Sequence, residues 1–138
     1  MINKFNIAKA LFDQAELVST NNSYLLIAEG ENHESQPNET FIKEKVVYGD
    51  DNSVGLSDVS SDIQLGIYQL NVYTPQAEIG GKWSGLNIAG VYSSAFNKGL
   101  SLSFGGQNLR IKNASVMPMD KNETHYIHII SIVYSVVN

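Results

Sequence analysis

The sequence contains no cysteine among its 138 residues. That excludes disulfides, thiolate zinc sites and cysteine nucleophiles, and it fits a reducing compartment. Long hydrophobic runs are also missing. No stretch approaches membrane length, and the N-terminus has no basic region followed by an apolar core of the secretory kind, so no membrane association is expected. Clustered Lys and Arg, which a nonspecific grip on nucleic acid needs, do not occur, and the net charge is −5. With 43% hydrophobic and 17% charged residues, the chain reads as one globular domain spanning residues 1–138. A chain of this size can bury roughly two thirds of the surface its unfolded form exposes.

Chemistry-bearing motifs are absent as well. Gly80-Gly81-Lys82 suggests a phosphate loop, but Gln76 and Trp83 stand where that loop needs Gly and Ser or Thr. Gly105-Gly106 reads as a hairpin turn, and Asp50-Asp51-Asn52-Ser53 lacks the spacing of a calcium loop. No G-x-S-x-G joins the serines, histidines and aspartates. His125 and His128 are three apart on a strand, which puts them on opposite faces and makes each a packing or strand-end residue. His33, beside Glu31 and Glu34, reads as solvent-exposed. Trp83 is either a ligand platform or, as is commoner for a lone Trp opening an amphipathic helix, part of the core. No catalytic, cofactor-binding or metal-binding residue is expected, and no enzyme.

What is present is an ordered set of amphipathic elements. Asn3 to Ser19 predicts a helix, with Phe5, Ala8, Phe12 and Ala15 as its apolar stripe and Leu11 and Val18 widening it. Strands are expected at Tyr24–Ala28, Thr40–Tyr48, Ile63–Tyr73, Leu100–Phe104 and Leu109–Lys112, with Gly66 marking a bulge and Pro75 a stop. Trp83 to Phe96 predicts a second helix through Ile88, Val91, Tyr92 and Ala95, with Gly99 as its C-terminal cap. Gly49 to Ser61 is polar, nearly free of apolar anchors, and expected to be mobile. The order implies an α+β domain, a mainly antiparallel sheet packed by two helices.

The last strand, Thr124 to Val137, is unusual. One side carries Tyr126, Ile130, Ile132, Tyr134 and Val136, and the other Ile127, Ile129, Val133 and Val137. An antiparallel sheet commonly packs one face and wets the other. Here both sides are apolar and both want cover, the second from another subunit. Charge is also segregated. Residues 29–62 hold nine acidic side chains against Lys43 and Lys45, whereas residues 63–138 hold three against five basic ones. That asymmetry suggests head-to-tail complementarity between copies. Candidate interface residues are therefore Ile127, Ile129 and Val133 in the strand, and Asp50, Asp51 and Asp58 in the acidic segment.

A series of landmarks carries a resemblance. Ile27 to Asn32 forms a short strand ending in a turn, and Phe41-Ile42 begins the next. Gly66-Ile67-Tyr68-Gln69-Leu70-Asn71-Val72-Tyr73-Thr74-Pro75 follows, then Phe96-Asn97-Lys98-Gly99 after a helix. Gly106 to Ile111, Ala114-Ser115-Val116 and Tyr126 to Tyr134 complete the order. Over roughly residues 24–134 the chain resembles the tail-terminator proteins of long-tailed bacteriophages. The helix departs from that pattern in being rich in Gly and Ser, and Gly49–Ser61 shows no clear family pattern. The resemblance implies a tail-terminator-like fold and a homo-hexameric ring on the tail tube. Its partners would be the tail-tube protein and the head-completion (connector) protein. DNA would cross the lumen only as passing cargo, without sequence-specific binding. The location implied is the virion, at the head-proximal end of the tail, after synthesis in the host cytoplasm. An acidic lumen would suit DNA passage, because like charge disfavours sticking to phosphates. A small-ligand or lipid-binding α+β domain, with Gln69 and Asn71 as inward polar groups, is the alternative reading.

Overall fold

A computed structural model describes residues 3–48, 64–77 and 80–137. The first helix, α1 (Lys4–Asn22), starts where the Asn3 side-chain oxygen accepts from the Asn6 amide at 3.2 Å. It ends at Ser23, whose φ of 58° is left-handed. The buried stripe is Ile7, Ala10, Leu11, Ala15 and Val18, rotated from the one the sequence predicts. Phe5 is 63% exposed and packs edge-on against Phe104 at 6.0 Å. The α1 sequence is apolar over a broad arc, and the neighbouring hairpin selects which part of it turns inward.

Strands β1 (Leu26–Ile27), β2 (Phe41–Val47) and β3 (Gln64–Pro75) precede helix α2 (Gly81–Ala95). Strands β4 (Ser101–Phe104), β5 (Gln107–Val116), β6 (Asp120–Lys121) and β7 (His125–Val137) follow it. The sheet order is β1-β2-β3-β7-β5-β4, with β6 also on β7, and every pairing is antiparallel except β1 with β2. The C-terminal strand is thus central, because its long β-branched run can pair on both edges. The β4–β5 turn is Gly105-Gly106, with φ of 59° and 82°, the geometry of a two-residue turn that needs positive φ twice.

Two glycines act differently from the sequence expectation. Gly66 pairs with Tyr134 in an unbroken β3–β7 register, one residue beyond the Ile67–Val47 pair that ends the β2 ladder, so it is no bulge. A Cβ there would strike the Tyr134 ring, which lies across Gly66 to bring its hydroxyl 3.4 Å from the Val47 carbonyl. The sheet's irregularity lies instead in β5, between Ile111 and Asn113. Gly99 (φ 91°) falls beyond the helix cap at Phe96 and donates its amide to the Ile111 carbonyl, tying the turn to β5.

Both helices cover one face of the sheet. Ile7, Leu11, Ala15, Ile88, Tyr92 and Phe96 pack on Tyr68, Leu70, Val72, Ile130, Ile132 and Tyr134. The helices are joined by a 2.6 Å hydrogen bond between the Ser19 and Tyr92 hydroxyls and by Gln14 Nε2 donating to the Ala95 carbonyl. Burial pushes the Tyr92 hydroxyl pKa up to about 12.

Candidate functional site

Among the described residues no helix lies over the other face of the sheet. Register places its side chains in rows across β2, β3 and β7. Val47, Ile67 and Val133 form one row, Lys45, Gln69 and Ser131 the next, then Lys43, Asn71 and Ile129, then Phe41, Tyr73 and Ile127. Two apolar rows thus flank two mixed ones. Val47 and Ile67 are exposed, and Ile127, Ile129 and Val133 are half-buried. Beyond the end of β5, Met117-Pro118-Met119 lies along β7 and forms with Ile67 and Ile129 an apolar groove, lined among the described residues by one charged residue, Asp120. Gln69 Nε2 donates to Asn71 Oδ1 at 3.0 Å within this face. Asp50, Asp51 and Asp58, and the expected mobile segment Gly49–Ser61, lie outside the described residues.

The Phe41 end of the open face is closed by side chains. Phe41 stacks on Tyr73 at 4.6 Å, and His125 and His33 each approach its ring at 5.3 Å. His125 Nε2 lies 2.8 Å from the Glu39 carbonyl. A carbonyl only accepts, so Nε2 carries a proton, and Nδ1 lies 2.8 Å from the Thr124 hydroxyl. His33 is half-buried and pairs with Glu39 at 2.7 Å, not solvent-exposed beside Glu31 and Glu34. Both histidines hold the 28–40 segment to the sheet.

His128 sits on the opposite face from His125, as the odd spacing requires, and lies under α2. Its Nδ1 is buried with no hydrogen-bond partner among the described residues, and Gly85 leaves the room its ring occupies. Burial first, and the Lys82 charge second, lower its pKa. Glu44 is fully engaged: it accepts from the Tyr68 hydroxyl and from the Glu29 amide at 2.9 Å. Burial and Glu44 together raise the Tyr68 pKa well above its usual value. These groups serve packing. Among the described residues no set of three or more His, Asp or Glu side chains could hold a metal, and no helix is long and apolar enough to cross a membrane.

The sequence reading missed one surface. Trp83 is not core: it is 66% exposed, on the outer side of α2, with Leu86 exposed three residues on. The inner stripe is Gly81, Gly85, Ile88, Ala89 and Tyr92, and Trp83 lies two residues, about 200°, from Gly85. The cue available was this small-residue stripe, because glycine lets a helix approach a sheet closely. Trp83 and Leu86 border a shallow groove over Gly90 and Ser94, and the Lys82 ammonium rests 5.2 Å from the Trp83 ring centre.

Comparison with known proteins bears on this arrangement. A family model described as phage tail terminator protein matches residues 6–134. One solved structure superposes with a TM-score of 0.76 at 16% identity, over 99% of this chain and 96% of the other. A chain from the virion of a native gene transfer agent particle superposes with a TM-score of 0.60 at 12% identity, over 97% and 96%. No curated protein matches the chain.

Proposed function

The chain belongs to the phage tail terminator protein family, and we propose that its copies form a hexameric ring that caps the tail tube, ends tube growth and offers its other face to the head-completion protein. As a family member it is a structural protein of the virion tail. The observation that carries the finer reading is the face of the sheet that no helix covers among the described residues. Ile127, Ile129 and Val133, with Ile67 and Val47 beside them, form apolar surface that a neighbouring protein would bury favourably. A terminator must satisfy the contacts of an open tube end on one side and fail to regenerate them on the other. That calls for a ring with unlike faces and needs no catalytic group. Asp50, Asp51 and Asp58 stay candidates for the interface on sequence grounds. DNA would cross the lumen without base readout.

A small-ligand or lipid-binding role fits less well. The interior between helices and sheet is occupied by fully buried Tyr68, Tyr92, Tyr134 and Phe96, and Gln69 and Asn71 bond each other on the open face. The test is tube assembly from the cognate tube protein with and without this chain. Tubes of defined length carrying extra density at one end are the expected result. Unchanged tube length with no end binding, by a folded protein, would overturn the proposal.

A further inference from the structure

We propose that the ring is closed by seating the Trp83–Leu86 face of α2 from one copy in the Met-lined groove on the open sheet face of the next. The inference rests on the ring reading above and names its two contact surfaces. Each is largely apolar, exposed and unpartnered among the described residues. They point in opposite directions, because α2 lies on one side of the sheet and the groove on the other. A face pairing with its own copy would bury one surface and leave the other in water. Pairing unlike faces buries both, and such a head-to-tail contact closes into a ring when its rotation permits.

The chemistry of the two surfaces also matches. α2 carries a single charged residue, Lys82, held against the Trp83 ring. Among the described residues the groove is lined by one charged residue, of opposite sign, Asp120. Tryptophan is enriched among interface hot spots, and Met117 and Met119 supply adaptable thioethers that favour aromatic rings.

The test exploits the absence of cysteine. Asn87→Cys, exposed on the α2 face, and Ser131→Cys, in the groove, leave the apolar contacts in place. A short bis-maleimide should cross-link an equimolar mixture of the two single variants into dimers, and neither variant alone. A chain carrying both should give a ladder ending at the ring. Native mass, measured in parallel, separates the two failures. A ring without the mixed cross-link, or with self-cross-linking of Ser131→Cys alone, overturns the proposed contact while the ring reading stands. A monomer under all conditions, including at the tube end, overturns both. As a second arm, Lys82→Asp and Asp120→Lys should each weaken assembly at least about tenfold, and together restore it. Absence of rescue counts against the contact.

Discussion

On strand β7, Ile130, Ile132, Tyr134 and Val136 are fully buried beneath the two helices, whereas Ile127, Ile129 and Val133, their neighbours along the same strand, keep part of their surface in water. The two sets have nearly the same composition and the same extended backbone. What separates them is the layer above. Burial on the helix face is supplied by the chain itself and stabilises the subunit. None of the described residues supplies the remaining burial around Ile129 and Val133, and under the proposed ring a neighbouring copy would supply it and so stabilise assembly. A sheet of this kind divides one hydrophobic strand between folding and function.

The largest test of that division places one substitution on each face. Leu70→Lys, under the helices, buries an unpaired charge and should cost about 4 kcal/mol or more, a large share of a small domain's stability. Ile129→Lys, on the half-open face, should cost about 1 kcal/mol or less in folding but weaken self-association by about 3 kcal/mol. Urea unfolding reads the first quantity and sedimentation the second. Equal loss of folding stability in both variants would erase the contrast between faces.

A second contrast lies within α2. A Cβ on Gly85 would meet the His128 ring, and Thr74 Oγ1 at 2.9 Å, so Gly85→Ala should destabilise by about 1–3 kcal/mol. A Cβ on Gly90, on the outer side, would meet nothing within 4 Å, so Gly90→Ala should stabilise by about 0.5–1 kcal/mol through helix propensity. Thermal unfolding of the two variants should shift in opposite directions, and a shift of the same sign would mean that α2 does not lie as described.

Below these effects comes pH. His128 has a folded pKa depressed from its ordinary 6.5. Above that ordinary value the ring is neutral in folded and unfolded chains alike. As pH falls from it toward the folded value, the unfolded chain takes up the proton first, so stability is lost through that window. Urea midpoints measured between about pH 5 and 8 should fall on the acid side, and His128→Asn should flatten that part of the profile. A variant that kept the wild-type slope would assign it to another group. The smallest expected effect belongs to neither face: Asn3→Ala removes the α1 cap and should cost about 0.5–1 kcal/mol without altering assembly.

Much of this was legible in the chain. The helices fall within a few residues of their expected bounds, because their apolar positions recur at helical spacing and Asn3 and Gly99 mark their surroundings. The alternation of β7, the opposed histidines and the Gly105-Gly106 turn also follow from local rules. Gly66 did not. A glycine breaking a strand's pattern signals either a bulge or a close approach, and only the position of Tyr134, distant in sequence, distinguishes the two. His33 looked solvated for a similar reason, since Phe41 and Glu39 reach it only after the loop folds over the sheet.

The sequence by itself determined the α+β class, the periodicities and the doubly apolar strand, since these depend on residue type and spacing alone. It could not decide which alternate set of β7 lies under the helices, because a period of two is symmetric between faces. Nor could it decide which arc of α1 turns inward, or that Trp83 faces out. Those choices belong to the tertiary structure, where Gly81 and Gly85 bring α2 down onto Pro75 and His128. Close packing there leaves the bulky indole the side of the helix turned away from the sheet.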